Sequence, residues 1–256
     1  MRGLAGRIFV VAGAATGIGS ASAMRLASEG ARVIVGDINL AGAEETARQI
    51  RASGGTATAI EYDQSDEDSV ARLISQTVDQ FGGVDGVHAN AADLRPEVWG
   101  RDVDLLNMEV GVWERTLRVD LIGYALIIRA VVPHLLSRGG GAIVCTVTTG
   151  GAPPIGRSTP VAYASAKAGV NSMARHVASR WGQEGIRCNC VAPGTVLTAA
   201  AEQLMSTELI DELRAQTRST RLGHPDDIAA ATAFLLSDDA AWINGQVLGV
   251  NGGVAF

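Results

Sequence analysis

The chain has 256 residues, 47% of them apolar, enough to bury one substantial core. Its formal net charge is −6 and no Lys/Arg cluster stands out, which argues against a nucleic-acid partner and an anionic membrane surface. No apolar run reaches about 18 residues, so no membrane span is expected, and the opening residues lack the layout of a secretory signal.

Strand-like and helix-like segments alternate along the whole chain. Arg7 to Ala12 is a short apolar run and predicts a buried strand; Gly17 to Glu29 reads as helix, with Gly30 as its stop. Ala31 to Val35 is a second strand, Leu40 to Ala52 a helix and Thr56 to Tyr62 a third strand. Asp66 to Phe81 is a helix whose acidic first turn suits the helix dipole, and Val84 to His88 a fourth strand. A polar stretch over 93–109 leads into one long helix from Val112 to Leu136. Ala142 to Val147 is a fifth strand, Pro160 to Trp181 a helix and Ile186 to Ala192 a sixth strand. Ala199 to Thr217 looks helical, Pro225 to Leu236 is a helix opened by proline, and Gln246 to Val250 is the last strand. Such alternation implies a Rossmann-type doubly wound α/β fold, a parallel sheet with helices on both faces. Ligands then bind at the carboxyl ends of the strands. There is no repeat or low-complexity linker, so residues 1–256 are expected to form a single domain.

The first strand runs through Gly13-Ala-Ala-Thr-Gly17-Ile-Gly19 directly into a helix. Glycines in that context let a pyrophosphate approach backbone N–H groups at the helix N-terminus. Asp37 follows the second strand, eighteen residues beyond Gly19. A carboxylate there accepts hydrogen bonds from a ribose and repels a 2′-phosphate, which favours NAD over NADP. Tyr163 and Lys167 are four apart on a helix and share a face. A close ammonium favours the phenolate, so the pair is a candidate for moving a proton on and off an oxygen.

Together with these motifs, Asp63 after the third strand, Asn90-Ala-Ala92, Asn189-Cys-Val-Ala-Pro193-Gly194-Thr-Val-Leu-Thr198, Arg221 to Ala229 and Asn244 to Gly253 fall in register. The sequence resembles the short-chain dehydrogenase/reductase family over essentially its whole length. The resemblance implies seven parallel strands and a homo-oligomer, tetramer or dimer, with the Tyr/Lys helix at an interface. It implies a NAD site built from Gly13, Thr16, Gly17, Ile18, Gly19, Asp37, Asp63, Gln64, Asn90, Ala91, Pro193, Gly194, Val196 and Thr198, with Tyr163 and Lys167 also touching the cofactor. The catalytic set it implies is Tyr163, Lys167, Thr148 and Asp120.

Two members of that set depart from the family. Thr148 stands where the family has serine, with Thr149 as the alternative, and the loop from there to Tyr163 looks about two residues longer than usual. Asp120 replaces asparagine, and its charge opposes the effect of Lys167 on Tyr163. The expected function is NAD-dependent hydride transfer between a secondary alcohol and its ketone, in the cytoplasm. The alternative is an NAD-binding sensor that has lost turnover. The substrate segments are 93–110 and 197–220.

The other reactive residues read as structure. Cys145, Cys188 and Cys190 are expected to be buried thiols, and the histidines show no ligand spacing, so no metal site is expected. His88 is expected to be packed near the cofactor crevice. Trp99, Trp113, Trp181 and Trp242 are expected in the core or at an interface.

Overall fold

Strands covered on both faces need side chains that are apolar at successive positions, and the six-residue run from Arg7 supplies them. In the computed structural model, which describes residues 1–102, 104–149 and 160–254, β1 is Ile8–Ala12 and every residue of it is buried. Ile8, Val10 and Ala12 pack into one core layer, Phe9 and Val11 into the other. The remaining strands are β2 (Arg32–Asp37), β3 (Thr56–Glu61), β4 (Gly86–Ala89), β5 (Gly141–Thr146), β6 (Ile186–Pro193) and β7 (Val247–Val250). They form one seven-stranded sheet in the order β3-β2-β1-β4-β5-β6-β7, and every strand pairing is parallel. The order reverses between β1 and β4, which puts a crevice at their carboxyl ends.

Helices close both faces. On one side lie α1 (Gly17–Ser28), α2 (Leu40–Ala52) and α9 (Pro225–Leu236), contributing Leu26, Ile50 and Leu236 to the core. On the other lie α3 (Glu67–Phe81), α5 (Gly123–Ser137) and α6 (Val161–Trp181), contributing Leu73, Ile127 and Val170. Each such side chain, fully buried, stabilises the fold by about 1.5–3 kcal/mol. Local signals fix the ends: Asp66 caps α3 through Asp68 N, and Gly82 closes it at φ 83°. His224 and Asp227 form a reciprocal cap on α9 ahead of Pro225.

Two expectations need correction. The expected single helix from Val112 to Leu136 is α4 (Val110–Leu117), a π turn (Arg118–Ile122) and α5 in continuous succession. The turn is held from outside: Gln64 Nε2 donates to the Val119 carbonyl at 2.9 Å, and a Cβ on Gly123 would lie 2.4 Å from Gln64 Cγ. The combined segment Val110–Ser137 is long and apolar enough by composition to cross a membrane, but over half of its most apolar window is buried inside the fold. The expected helix from Ala199 to Thr217 is two, α7 (Ala199–Leu204) and α8 (Thr207–Gln216), because the Ser206 hydroxyl accepts from Leu209 N and starts a new helix.

Candidate active site

The glycine loop joins β1 to α1 at the crevice. Gly13 and Gly17 have φ of 83° and 57°, left-handed values that favour glycine. A Cβ on Gly13 would lie 2.5 Å from Ala91 Cα, and one on Gly19 would lie 1.9 Å from the Gly13 carbonyl oxygen. The loop is therefore packed from behind and closed to larger residues. Thr16 is the N-cap of α1 but makes no side-chain cap, and the first turn holds no acidic residue. Those first-turn N–H groups suit an anion.

Asp37 is the last residue of β2 rather than the one after it. Its Oδ2 accepts from Ala15 N and its Oδ1 from Asn39 N, both at 2.9 Å, so the carboxylate sits against the glycine loop. Asp63 Oδ1 accepts from Ser65 N at 2.8 Å and from Ser65 Oγ at 2.7 Å. A cleft of about 330 Å³ opens beside it, lined in part by Ile38, Asp63 and Ser69. The Gln64 side chain turns inward to Tyr62, Ala91 and Val119, which leaves only its backbone for a cofactor.

Behind the loop runs a buried polar chain. Asn90 Nδ2 donates to the Gly13 carbonyl at 2.9 Å, and Thr146 Oγ1 donates to Asn90 Oδ1 at 2.9 Å. The threonine has one proton, so His88 Nε2, 2.8 Å away, must be the donor to Thr146 Oγ1. Nδ1 is then an unprotonated acceptor, and it has no partner among the described residues. Burial pushes His88 down to about 3, so the ring is neutral. His88 is a packed residue, as expected, and it holds Thr146, which in turn holds the Asn90 that bonds the glycine loop.

Tyr163 and Lys167 stand one turn apart on α6. Lys167 is fully buried, and its Nζ lies 3.3 Å from Asp120 Oδ1, at ion-pair distance but off hydrogen-bond alignment. Nζ donates to Tyr124 Oη at 2.8 Å. It lies 5.3 Å from the centre of the Tyr163 ring. Burial pushes Asp120 up and Lys167 down, each against the attraction of the other. Tyr163 is pushed up as well, by burial first and by Asp120 second. Both act against the lowering of Tyr163 that the sequence reading assigned to Lys167. Thr149 donates its hydroxyl to the Pro193 carbonyl at 3.1 Å, while Thr148 lies half-buried beside it.

Pro193 ends β6, and Gly194 follows so closely on Asn251 that a Cβ would lie 2.8 Å from its carbonyl oxygen. Val196 bridges to Gly223, and Thr198 Oγ1 accepts from Ala201 N at 3.2 Å to cap α7. A Cβ on Gly17 would meet Thr198 Cγ2 at 3.2 Å, so this loop and the glycine loop close on each other.

Segment 93–110 carries residues whose contacts with the Tyr163 helix the sequence reading did not give. Trp99 meets Tyr163 edge to face, with ring centres 5.0 Å apart, and stays 42% exposed. Of the core and interface positions expected for it, its exposure excludes the core. Buried Asp102 accepts from Ala162 N through its carboxylate and from Val161 N through its carbonyl, capping the helix that carries Tyr163. Asp93 binds Arg95 at 2.6 Å and Arg115 at 2.8 Å. Tyr124 had a sequence signal, since it lies four residues after Asp120 in a helical stretch. Asp102 had none, because its partner is sixty residues away. Residue 103, the side chains of Ala200 and Leu204, and residues 150–159 ahead of Tyr163 lie outside the described residues. All three cysteines are free and buried, as expected, and no described cluster of His, Cys, Asp or Glu is arranged for a metal.

This arrangement has known counterparts. A family model described as Enoyl-(Acyl carrier protein) reductase matches residues 13–255. The chain is 38% identical over 255 residues to cis-4-hydroxycyclohexanecarboxylate dehydrogenase of Sinomonas cyclohexanicum, covering 96% of each chain. It is 31% identical over 248 residues to 7alpha-hydroxysteroid dehydrogenase of Bacteroides fragilis, covering 97% of this chain and 94% of that one. A solved 7 alpha-hydroxysteroid dehydrogenase, complexed with NADH and 7-oxo glycochenodeoxycholic acid, matches with a TM-score of 0.89 at 31% identity, covering 98% of this chain and 94% of that one. The chain belongs to the short-chain dehydrogenase/reductase family and is an oxidoreductase.

Proposed function

We propose that the protein interconverts a secondary alcohol and its ketone with NAD, and that Tyr163 is the general acid/base. The observation that carries this reading is the placement of Tyr163 and Lys167 one turn apart on one helix, with Lys167 Nζ 3.3 Å from Asp120 Oδ1. The residues present fit NAD. Gly13, Gly17 and Gly19 form a cradle that a side chain would fill, the α1 N-terminus offers uncapped amides, and Asp37 offers a carboxylate at the ribose end. When bound, NAD supplies the hydride acceptor for oxidation and the donor for reduction.

In the oxidative direction Tyr163, as phenolate, takes the proton from the substrate hydroxyl. Thr148 orients the substrate oxygen, with Thr149, whose hydroxyl donates to the Pro193 carbonyl, as the alternative. Lys167 holds the cofactor ribose and supplies positive charge, and Asp120 takes part in relaying the proton onward. Trp99 and the segments 93–110 and 197–220 enclose the substrate. Two relatives are named for ring hydroxyls, which supports a mid-sized alicyclic alcohol as substrate. Both are dehydrogenases, which favours turnover over a sensor role.

The same reading makes the protein a single-domain, cytoplasmic homo-oligomer. Three unpaired thiols support the compartment, and the exposed edge residues Val247 and Leu248 support a partner copy.

The test is NAD reduction with a panel of cyclic and acyclic secondary alcohols. Tyr163→Phe should lower turnover at least a thousandfold and leave the Kd for NAD within about twofold. Equal turnover by the mutant, or no turnover of any panel member by the wild type, would defeat the reading.

A further inference from the structure

Tyr124 is a buried phenol with no place in the mechanism above, yet it touches the lysine on which that mechanism depends. It lies on α5 with no exposed surface. Its hydroxyl gives its one proton to the Thr146 carbonyl at 3.0 Å, so a lone pair is left to accept from Lys167 Nζ at 2.8 Å. Nζ also lies over the Tyr124 ring, 4.2 Å from its centre, against 5.3 Å for Tyr163. Phenylalanine would fill the same apolar space, so the hydroxyl is what sets this position apart.

The groups facing Lys167 come from five elements. Asp120 comes from the π turn, Tyr124 from α5 and Tyr163 from α6 itself. Cys145 on β5 and Cys190 on β6 lie close enough to act on its charge. Asp120 in turn faces Asp93 N, 3.5 Å from Oδ2. Of these, only Tyr124 makes an aligned hydrogen bond to the ammonium among the described residues.

We propose that Tyr124 is a positioning residue acting through Lys167: its hydroxyl anchors the ammonium beside Asp120 and limits how strongly Lys167 favours the Tyr163 phenolate. The proposal rests on the Tyr163/Lys167 reading of the site. An ammonium has three donors, and one of them is spent on Tyr124 Oη. Without that oxygen the freed donor can turn toward Tyr163, whose ring centre lies 5.3 Å from Nζ. A shorter contact between cation and phenol favours the ionised form.

The chain has three tyrosines, so ¹³Cζ-labelled tyrosine gives three resonances, each assigned by its Tyr→Phe variant. In full-length Tyr124→Phe the Tyr163 titration should move down by about one pH unit, a tenfold rise in its ionisation constant. The acid limb of kcat/KM for alcohol oxidation should move the same way. A lost packing contact alone would lower Tm and leave the Tyr163 titration in place, and an unmoved titration overturns the proposal. Lys167→Met tests it without altering Tyr124: its loss should displace the Tyr124 resonance more than that of Tyr163, and the reverse order also overturns it. Neither reading needs turnover. Full activity in Tyr163→Phe would instead defeat the assignment of the site, whatever the resonances do.

Discussion

Lys167 Nζ and Asp120 Oδ1 stand 3.3 Å apart with neither side chain reaching solvent. Whichever of the two holds the proton in a neutral or an ionic pair, the sum of their charges is zero. Tyr163 therefore does not face a free cation, and its hydroxyl is harder to ionise than an ordinary phenol. The substitution of one atom type in Asp120, relative to an amide, decides this balance.

Asp120→Asn keeps an oxygen acceptor and removes the charge. Asp120 is among the causes that push Tyr163 up, so its removal should bring Tyr163 down. The acid limb of kcat/KM for alcohol oxidation should shift to lower pH by about one unit, roughly a tenfold gain on that limb. The pH–rate profile checks it. A limb that stays in place, or moves to higher pH, would show that Asp120 does not oppose Lys167.

Asp37→Ala should weaken NAD and relax the bias against NADP. Ionised hydrogen-bond partners contribute about 1.5–3 kcal/mol, so the Kd for NAD should rise by about ten- to a hundredfold. Part of that loss comes from the glycine loop, since Asp37 holds Ala15 N at 2.9 Å. The discriminating quantity is the ratio of NAD to NADP affinity by calorimetry. A wild type that already prefers NADP would overturn the role given to Asp37.

Trp99→Ala should act on substrate binding more than on chemistry. An edge-to-face aromatic contact contributes about 0.5–1.5 kcal/mol beyond its buried area. With the indole removed, KM for a cyclic alcohol should rise roughly three- to tenfold while kcat stays within about threefold. A kcat that collapses at unchanged KM would mean that Trp99 holds Tyr163 in place instead of walling the substrate.

The strands, the order of helices and the glycine loop were legible because each rests on local rules. Ile8 to Ala12 is apolar throughout, and Gly13 and Gly17 occupy backbone positions that disfavour other residues. The π turn at Arg118–Ile122 was not legible. Nothing in its own residues forbids an α-helix, and its support comes from Gln64, over fifty positions earlier. The helical spacing of Tyr163 and Lys167 correctly put them on one face, but it carried no information on what else touches the ammonium. That depended on Tyr124 arriving from another helix, and on burial outweighing charge attraction at Tyr163. The long-range cap from Asp102 escaped for the same reason.

Acid should loosen segment 93–110 first, and Asp93 is the cause. Burial alone would raise its carboxyl, but hydrogen bonds from Arg95 and Arg115 outweigh that and hold it at about 2. A carboxylate with a depressed folded value contributes stability that is present above its unfolded value of about 3.9 and lost as pH falls toward the folded one. The window is thus between about pH 4 and pH 2. Arg95 is largely exposed, so solvent screening reduces the contribution to about 1–2 kcal/mol. Asp93→Asn should lower Tm at pH 7 and remove part of the fall in Tm between pH 4 and pH 2. Because Asp93 N also faces Asp120, Tyr163 fluorescence or its ¹³Cζ resonance should report the loosening before the sheet unfolds. Identical acid melting curves for wild type and Asp93→Asn would show that the two arginines add nothing to the stability of the segment.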